Sequence, residues 1–208
     1  MKERVDLLKH QNPDFQYFLF DDNDCREFIK TYFRPDVLNA YNRLKPGAYK
    51  ADLWRYCVLF IKGGIYLDIK LVCVNNFKLR HLTFDNHFVN ERSHHVGIYN
   101  ALIVSYPHNI FLYQAIRQIV QNVQTRFYGN SPLEPTGPEL LGSLIIRNKS
   151  KLNVDLQHHN EGGYILYKGK KVISTEYPEY DKERDDMSKT TNNPRYDELW
   201  HMRQIYLN

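Results

Sequence analysis

Three cysteines in 208 residues (Cys25, Cys57, Cys73) are too few, and wrongly spaced, for a disulfide framework or a zinc site. Cys57 and Cys73 lie in apolar surroundings and read as small core residues, and the odd count favours a reducing compartment. No run of about 18 apolar residues is present, so no transmembrane span is expected. No secretory leader pattern is visible either, and the expected location is cytoplasmic. The formal glycosylation sequon Asn148-Lys149-Ser150 is read as chance on the same ground. The net charge of +4 is spread out, with no block of five basic residues. That excludes a dedicated nucleic-acid binder and suits an anionic ligand such as a diphosphate. Repeats, low-complexity tracts and a second-domain boundary are absent, so residues 1–208 are expected to form one domain.

What the chain does hold is aromatic side chains, 16 Tyr and 11 Phe, most of them read as packing. Residues 2–10 repeat at helical spacing until Asn12-Pro13 stops them. Phe15–Phe20 reads as an aromatic strand. Asp21 to Asp24 offer an N-cap for a helix from about Cys25 to Tyr32, and Pro35 opens another to about Leu44. After Pro46-Gly47, a helix over 48–62 buries Ala51, Trp54, Val58 and Ile61. Strands are expected near 86–90 and 98–104, with helices over 109–123 and from Thr136 to about Arg147. A hairpin turns at Lys168-Gly169-Lys170. The polar stretch 178–195 reads as a mobile loop, followed by a short segment carrying Leu199, Trp200, Ile205 and Tyr206.

Residues 49–70 carry the chemistry. Asp52 and Arg55 are three apart and share a helix face, either as a plain ion pair or as a ligand-binding pair. Gly63-Gly64 ends that helix, and an alternating strand from Ile65 to Leu71 follows, with Tyr66, Asp68 and Lys70 on its polar side. Two acids one residue apart at a strand end can hold a divalent ion that clamps a diphosphate. Here the second acid is replaced by Lys70.

The stretches Asn12-Pro13 with Tyr17, Leu19, Asp21 and Asp22, then Lys50-Ala51-Asp52-Leu53-Trp54-Arg55-Tyr56 and Gly63-Gly64-Ile65-Tyr66-Leu67-Asp68, resemble glycosyltransferase family 32. These DXD-motif sugar transferases include yeast Golgi α-1,6-mannosyltransferases and giant-virus members. Asn100, Ser105-Tyr106-Pro107-His108, Thr136-Gly137-Pro138 and Trp200 extend the match. The resemblance implies a GT-A fold, a Rossmann-like α/β arrangement with the donor at the strand carboxyl ends. It implies transfer of a hexose from a UDP- or GDP-sugar to a hydroxyl of a glycan or protein, with retention of configuration. Asp52 and Arg55 would contact the donor sugar, and Asp68 the ribose and a metal. Tyr66 would wall the site, Asn100 would lie near the sugar, and Trp200 would close over the phosphates.

Two departures follow. Lys70 is expected to replace, in part, a Mn²⁺ or Mg²⁺ ion otherwise held by Asp68. One charge at about 2.8 Å gives roughly a third of the attraction of two charges at about 2.1 Å, at equal dielectric. Family members also open with an apolar strand that helps form the nucleobase pocket, whereas Met1 falls just inside the next helix, so the sheet is expected to lack that strand. The rival reading is a degenerate, inactive scaffold or sugar-nucleotide-binding domain. The pairs His94-His95 and His158-His159 point apart on a strand and argue poorly for metal; His201 beside Trp200 is the better third-ligand candidate.

Overall fold

The computed structural model describes residues 1–91, 97–147, 156–159, 162–191 and 194–207. His94-His95 and Asn148-Lys149-Ser150 lie outside them. Seven strands form one mixed sheet: β1 (Gly64–Leu67), β2 (Val72–Cys73), β3 (His87–Glu91), β4 (Ile98–Ser105), β5 (Leu156–His159), β6 (Tyr164–Tyr167) and β7 (Lys170–Ser174). Their spatial order is β1-β4-β3-β5-β6-β7-β2. Only the β3–β5 pair is parallel among the described pairings, so the sheet departs from the mostly parallel Rossmann pattern.

The strands consecutive in sequence at Asp68 are the two ends of that order. A four-residue connection of trans peptides spans at most about 17 Å. The sheet must therefore curl until its ends approach each other, and the turn that closes the curl carries Asp68, Ile69 and Lys70. The Leu71 amide bonds the Asp68 carbonyl at 3.0 Å, which marks a tight turn. The expected strand 65–71 is thus corrected: alternation ends at Leu67, and Lys70 is placed by the turn, not by the pleat. The reason is local. The Asp68 amide still pairs with the Ala101 carbonyl at 2.9 Å, but the chain must then leave β4 to reach β7.

Helices cover the sheet. One apolar cluster joins α2 (Asp22–Tyr32), α3 (Pro35–Arg43), α4 (Gly47–Lys62), α5 (Ile110–Thr125), α6 (Pro138–Ile146) and α8 (Tyr196–His201). A second, with Leu71, Leu102, Leu156 and Ile173 fully buried, packs under α1 (Lys2–Gln11). Asp21 caps α2 through a reciprocal box with Asp24. Asn109 caps α5 through the Phe111 amide. α4 runs sixteen residues because nothing breaks it between Gly47 and Lys62, and Gly63 ends it at φ +65°.

Two further expectations are corrected. Phe15–Phe20 forms no ladder among the described residues. A strand is stabilised by cross-strand pairs, and among the described residues β1, the sheet's end strand, pairs with β4 alone. Side chains hold the segment instead: Phe20 lies 4.9 Å from Trp54 by ring centroids, and Lys9 sits over the Tyr17 ring. The stretch expected as a loop over 178–195 contains the helix α7 (Tyr180–Thr191). Its acids Asp181 and Glu183 favour the positive end of the helix dipole, and Arg184 reaches back to Asp181 at 3.2 Å. A polar composition concealed a helix that charge pairing supports.

The glycine pair gives an internal control. A Cβ on Gly63 would lie 2.7 Å from Pro107 Cδ and 2.9 Å from the Ser105 carbonyl, whereas one on Gly64 meets nothing within 4 Å. Gly63→Ala should destabilise by about 3 kcal/mol and Gly64→Ala by about 1 kcal/mol, the second from positive φ alone. Urea denaturation measures both; equal losses contradict the packing argument.

Candidate active site

α4 and β1 deliver the site because a helix, a double glycine and a short strand fold back on each other. Arg55 sits at the centre, with only 7% of its surface exposed. Its Nη1 donates to the Asn100 carbonyl at 2.6 Å and its Nε to the Ala51 carbonyl at 3.1 Å. Its Nη2 lies 3.7 Å from Asp52 Oδ1 and 3.9 Å from Asp68 Oδ1. The guanidinium also stacks 4.5 Å from the Tyr66 ring centroid. The Tyr66 hydroxyl donates to Asp68 Oδ1 at 3.0 Å. One cation thus ties together the helix, strand β1 and strand β4.

Asp52 faces inward. It is 7% exposed and accepts from Asn100 Nδ2 at 3.1 Å and from the Thr136 hydroxyl at 2.8 Å. Burial raises its pKa, against the opposing pull of Arg55, Asn100 and Thr136. Burial works against the Arg55 charge, but Tyr66, Asp52 and Asp68 outweigh it and hold the pKa above its ordinary value. Burial also raises the Tyr66 pKa, so its phenol keeps its proton for Asp68. Gly137 is held tight beside this network, since a Cβ there would lie 3.2 Å from Asp52 Oδ2.

Asp68 is the outward member, its side chain about a third exposed. Tyr66, Asp68 and Lys70 line a cavity of about 1180 Å³ whose walls include Trp54, Leu67 and Phe20. Lys70 Nζ lies 3.4 Å from the Tyr180 hydroxyl and 4.6 Å from that ring's centroid, with Tyr99 beyond at 6.0 Å. The Lys70 carbonyl accepts from Arg4 Nε, which fixes the turn against α1.

Asp52, Arg55, Tyr66, Asp68 and Asn100 are therefore brought into one contact network, and Lys70 stands on its rim. Trp200 is elsewhere: its indole N–H donates to the Tyr128 carbonyl at 2.7 Å, and Arg203 lies over its ring. Those contacts fasten the C-terminal segment to the loop after α5. His158 is a satisfied core histidine, bonded to Glu91 at 3.0 Å and stacked on Tyr99 at 3.8 Å. His201 packs on Trp200. Residues not singled out from sequence are Thr136 as a partner of Asp52, Tyr99, and Tyr180 and Arg184 of α7. Thr136 carried a signal, since Thr-Gly-Pro is an unusual helix start; the α7 pair carried none once that stretch was read as a loop.

A divalent ion fits this donor set badly. Asp68 already serves Tyr66 and Arg55, the neighbouring ligand position is an ammonium, and among the described residues no three His, Cys, Asp or Glu side chains gather.

The fold is that of the GT-A glycosyltransferases: the solved structure of the "PaToxG Glycosyltransferase" superposes with a TM-score of 0.52 at 19% identity, covering 74% of this chain and 65% of that one. Residues 1–93 match the family model described as "Glycosyltransferase sugar-binding region containing DXD motif". Similar curated proteins include an uncharacterized glycosyltransferase of Acanthamoeba polyphaga mimivirus, 43% identical over 31% of this chain and 26% of that protein. The initiation-specific alpha-1,6-mannosyltransferase of Candida albicans is 38% identical over 30% and 17%. Inositol phosphoceramide mannosyltransferase 3 of Schizosaccharomyces pombe is 39% identical over 35% and 19%. The matched stretches span about a quarter or less of these relatives. No helix among the described residues is long and apolar enough to cross a membrane.

The raised Asp52 pKa sets a pH dependence. The folded chain binds this proton more tightly than the unfolded one, so the stability linked to it is full below an aspartate's ordinary value of about 4 and is lost as pH rises through the folded value. Asp52→Asn should flatten that part of the stability profile. Denaturation midpoints between about pH 4 and 8 check it; an unchanged slope contradicts the assignment.

Proposed function

We propose that the domain is a glycosyltransferase moving a hexose from a nucleotide-diphosphate sugar to a hydroxyl acceptor, with retention of configuration. The observation that carries the reading is that Tyr66 and Asp68 line a cavity large enough for a nucleotide sugar while the buried Arg55 holds both from behind. Asp68 offers a carboxylate to ribose or sugar hydroxyls. Arg55 and Tyr66 hold that carboxylate in one orientation. Asp52 and Asn100 position Arg55 from behind and act through it. Lys70 faces the diphosphate.

In the transfer, the bond from the anomeric carbon to the diphosphate oxygen breaks, and a bond to the acceptor hydroxyl oxygen forms. The hydroxyl proton passes to the departing diphosphate, whose growing charge Lys70 meets. No step runs through a metal, because the donor set does not suit one. Mannose is the first donor sugar to try, since several relatives bear mannosyltransferase names. A UDP or a GDP carrier and a glycan or protein acceptor both remain within the proposal, as does a location outside any membrane.

One observation favours the rival, inactive reading: Asp52 and Arg55 are nearly sealed and satisfy each other within the fold. Calorimetry with UDP- and GDP-hexoses, with and without manganese, separates the two. The transferase reading expects donor binding in chelator, with Lys70→Ala weakening it about tenfold or more. Lys70→Asp should make binding rise with manganese. Absence of binding to every donor leaves the scaffold. Saturable activation of turnover by micromolar manganese in the native chain contradicts the role given to Lys70.

A further inference from the structure

A diphosphate carries more charge than one ammonium can meet, and the donor set around Asp68 does not suit a divalent ion. We infer that Arg184 of α7 is the second arm of a cation pair which, with Lys70, grips the diphosphate in place of a metal; this rests on the nucleotide-sugar reading.

Tyr180 holds the pair together. Lys70 Nζ lies 4.6 Å from its ring centroid, and the Arg184 guanidinium carbon lies 5.6 Å from the same point. Two such distances to one point bound the separation of the charges at about 10 Å, the span of a diphosphate contacted at both ends by charge-assisted bonds. Both cations, Tyr180 and Asp68 line the same cavity. Tyr99, half-buried on the other side, limits where the Lys70 ammonium can go.

Arg184 also has donor capacity to spare. Its Nε is buried and meets no hydrogen-bond acceptor among the described residues. Its Nη2 pairs with Asp181 at 3.2 Å and Asp185 at 3.6 Å, two carboxylates that are 80% and 57% exposed. Exposed pairs of this kind contribute little and yield to a stronger partner. The rest of the guanidinium is reachable, the side chain being 41% exposed, and its planar fork can meet two phosphate oxygens, which a lysine cannot do. The charged helix α7 thereby gains a role, because it carries a guanidinium to the turn that closes the sheet.

The test uses the full chain in EDTA, with inorganic pyrophosphate and UDP or GDP as probes, followed by calorimetry. Arg184→Gln should weaken pyrophosphate binding about tenfold or more and reduce its dependence on salt. Arg184→Lys should recover part of the affinity, which a purely structural role would not produce. Affinity and salt dependence like the native chain's in Arg184→Gln overturn the clamp, and so does failure of the native chain to bind pyrophosphate. Pyrophosphate binding that needs Arg184, without binding of any nucleotide sugar, keeps the clamp and removes the transferase reading. Nucleotide-sugar binding that ignores Arg184 does the reverse.

Discussion

A buried guanidinium needs carboxylates near it, and the site is built on that requirement. Arg55 leaves water only because Asp52, Asp68 and the Asn100 carbonyl receive it, and Tyr66 covers its face. Removing one partner from such a cluster typically costs about 3–5 kcal/mol, because a charge is left stranded. The cluster therefore contributes specificity of arrangement: helix α4, strand β1 and strand β4 meet in one way. Asp68, the least buried of its acids, inherits a fixed position from a network that is otherwise inside the protein.

The curl of the sheet adds the second constraint. β1 and β2 are neighbours in sequence and opposite ends in space, so the turn between them has to close the fold. Asp68 and Lys70 sit on that turn, with α1 gripping its backbone and Tyr180 meeting its lysine. Groups on a loop are ordinarily less well placed than groups on rigid elements. Here the loop is short and tied on both sides, which gives it the definition a binding site needs. On the proposed reading, the turn presents a carboxylate and an ammonium side by side, where a metal-holding site would need a second carboxylate.

Much of this is legible in the chain. The helix at 48–62, the left-handed position at Gly63 and the polar alternation of Tyr66 and Asp68 place the candidate site residues on adjoining elements from residue order. The expected stripe of Ala51, Trp54, Val58 and Ile61 is corrected: those four are half-buried, and Tyr49, Leu53, Tyr56, Cys57 and Leu59 form the buried face, because the sheet and α5 pack on that side. The hairpin of β6 and β7 is equally clear from Lys168-Gly169-Lys170. What fails does so for identifiable reasons. Phe15–Phe20 has strand composition, but strand formation depends on a partner that local sequence does not reveal. Lys70 follows the alternation on paper, yet the route from β4 to β7 demands a turn. α7 is polar on every side, and its helix rests on charge pairs and on contacts from Tyr177 and Tyr180 that periodicity does not register. Trp200 carries a resemblance without a geometry, and its indole is spent on Tyr128.

The central claim is that the Asp68–Lys70 turn holds a diphosphate without a metal. Selective nitrogen-15 labelling of lysine, followed by NMR of the side-chain ammonium signals in chelator, tests it most directly. On addition of a bound nucleotide sugar, the Lys70 signal should shift and its exchange with water should slow. A donor that binds while that signal stays unchanged would contradict the account.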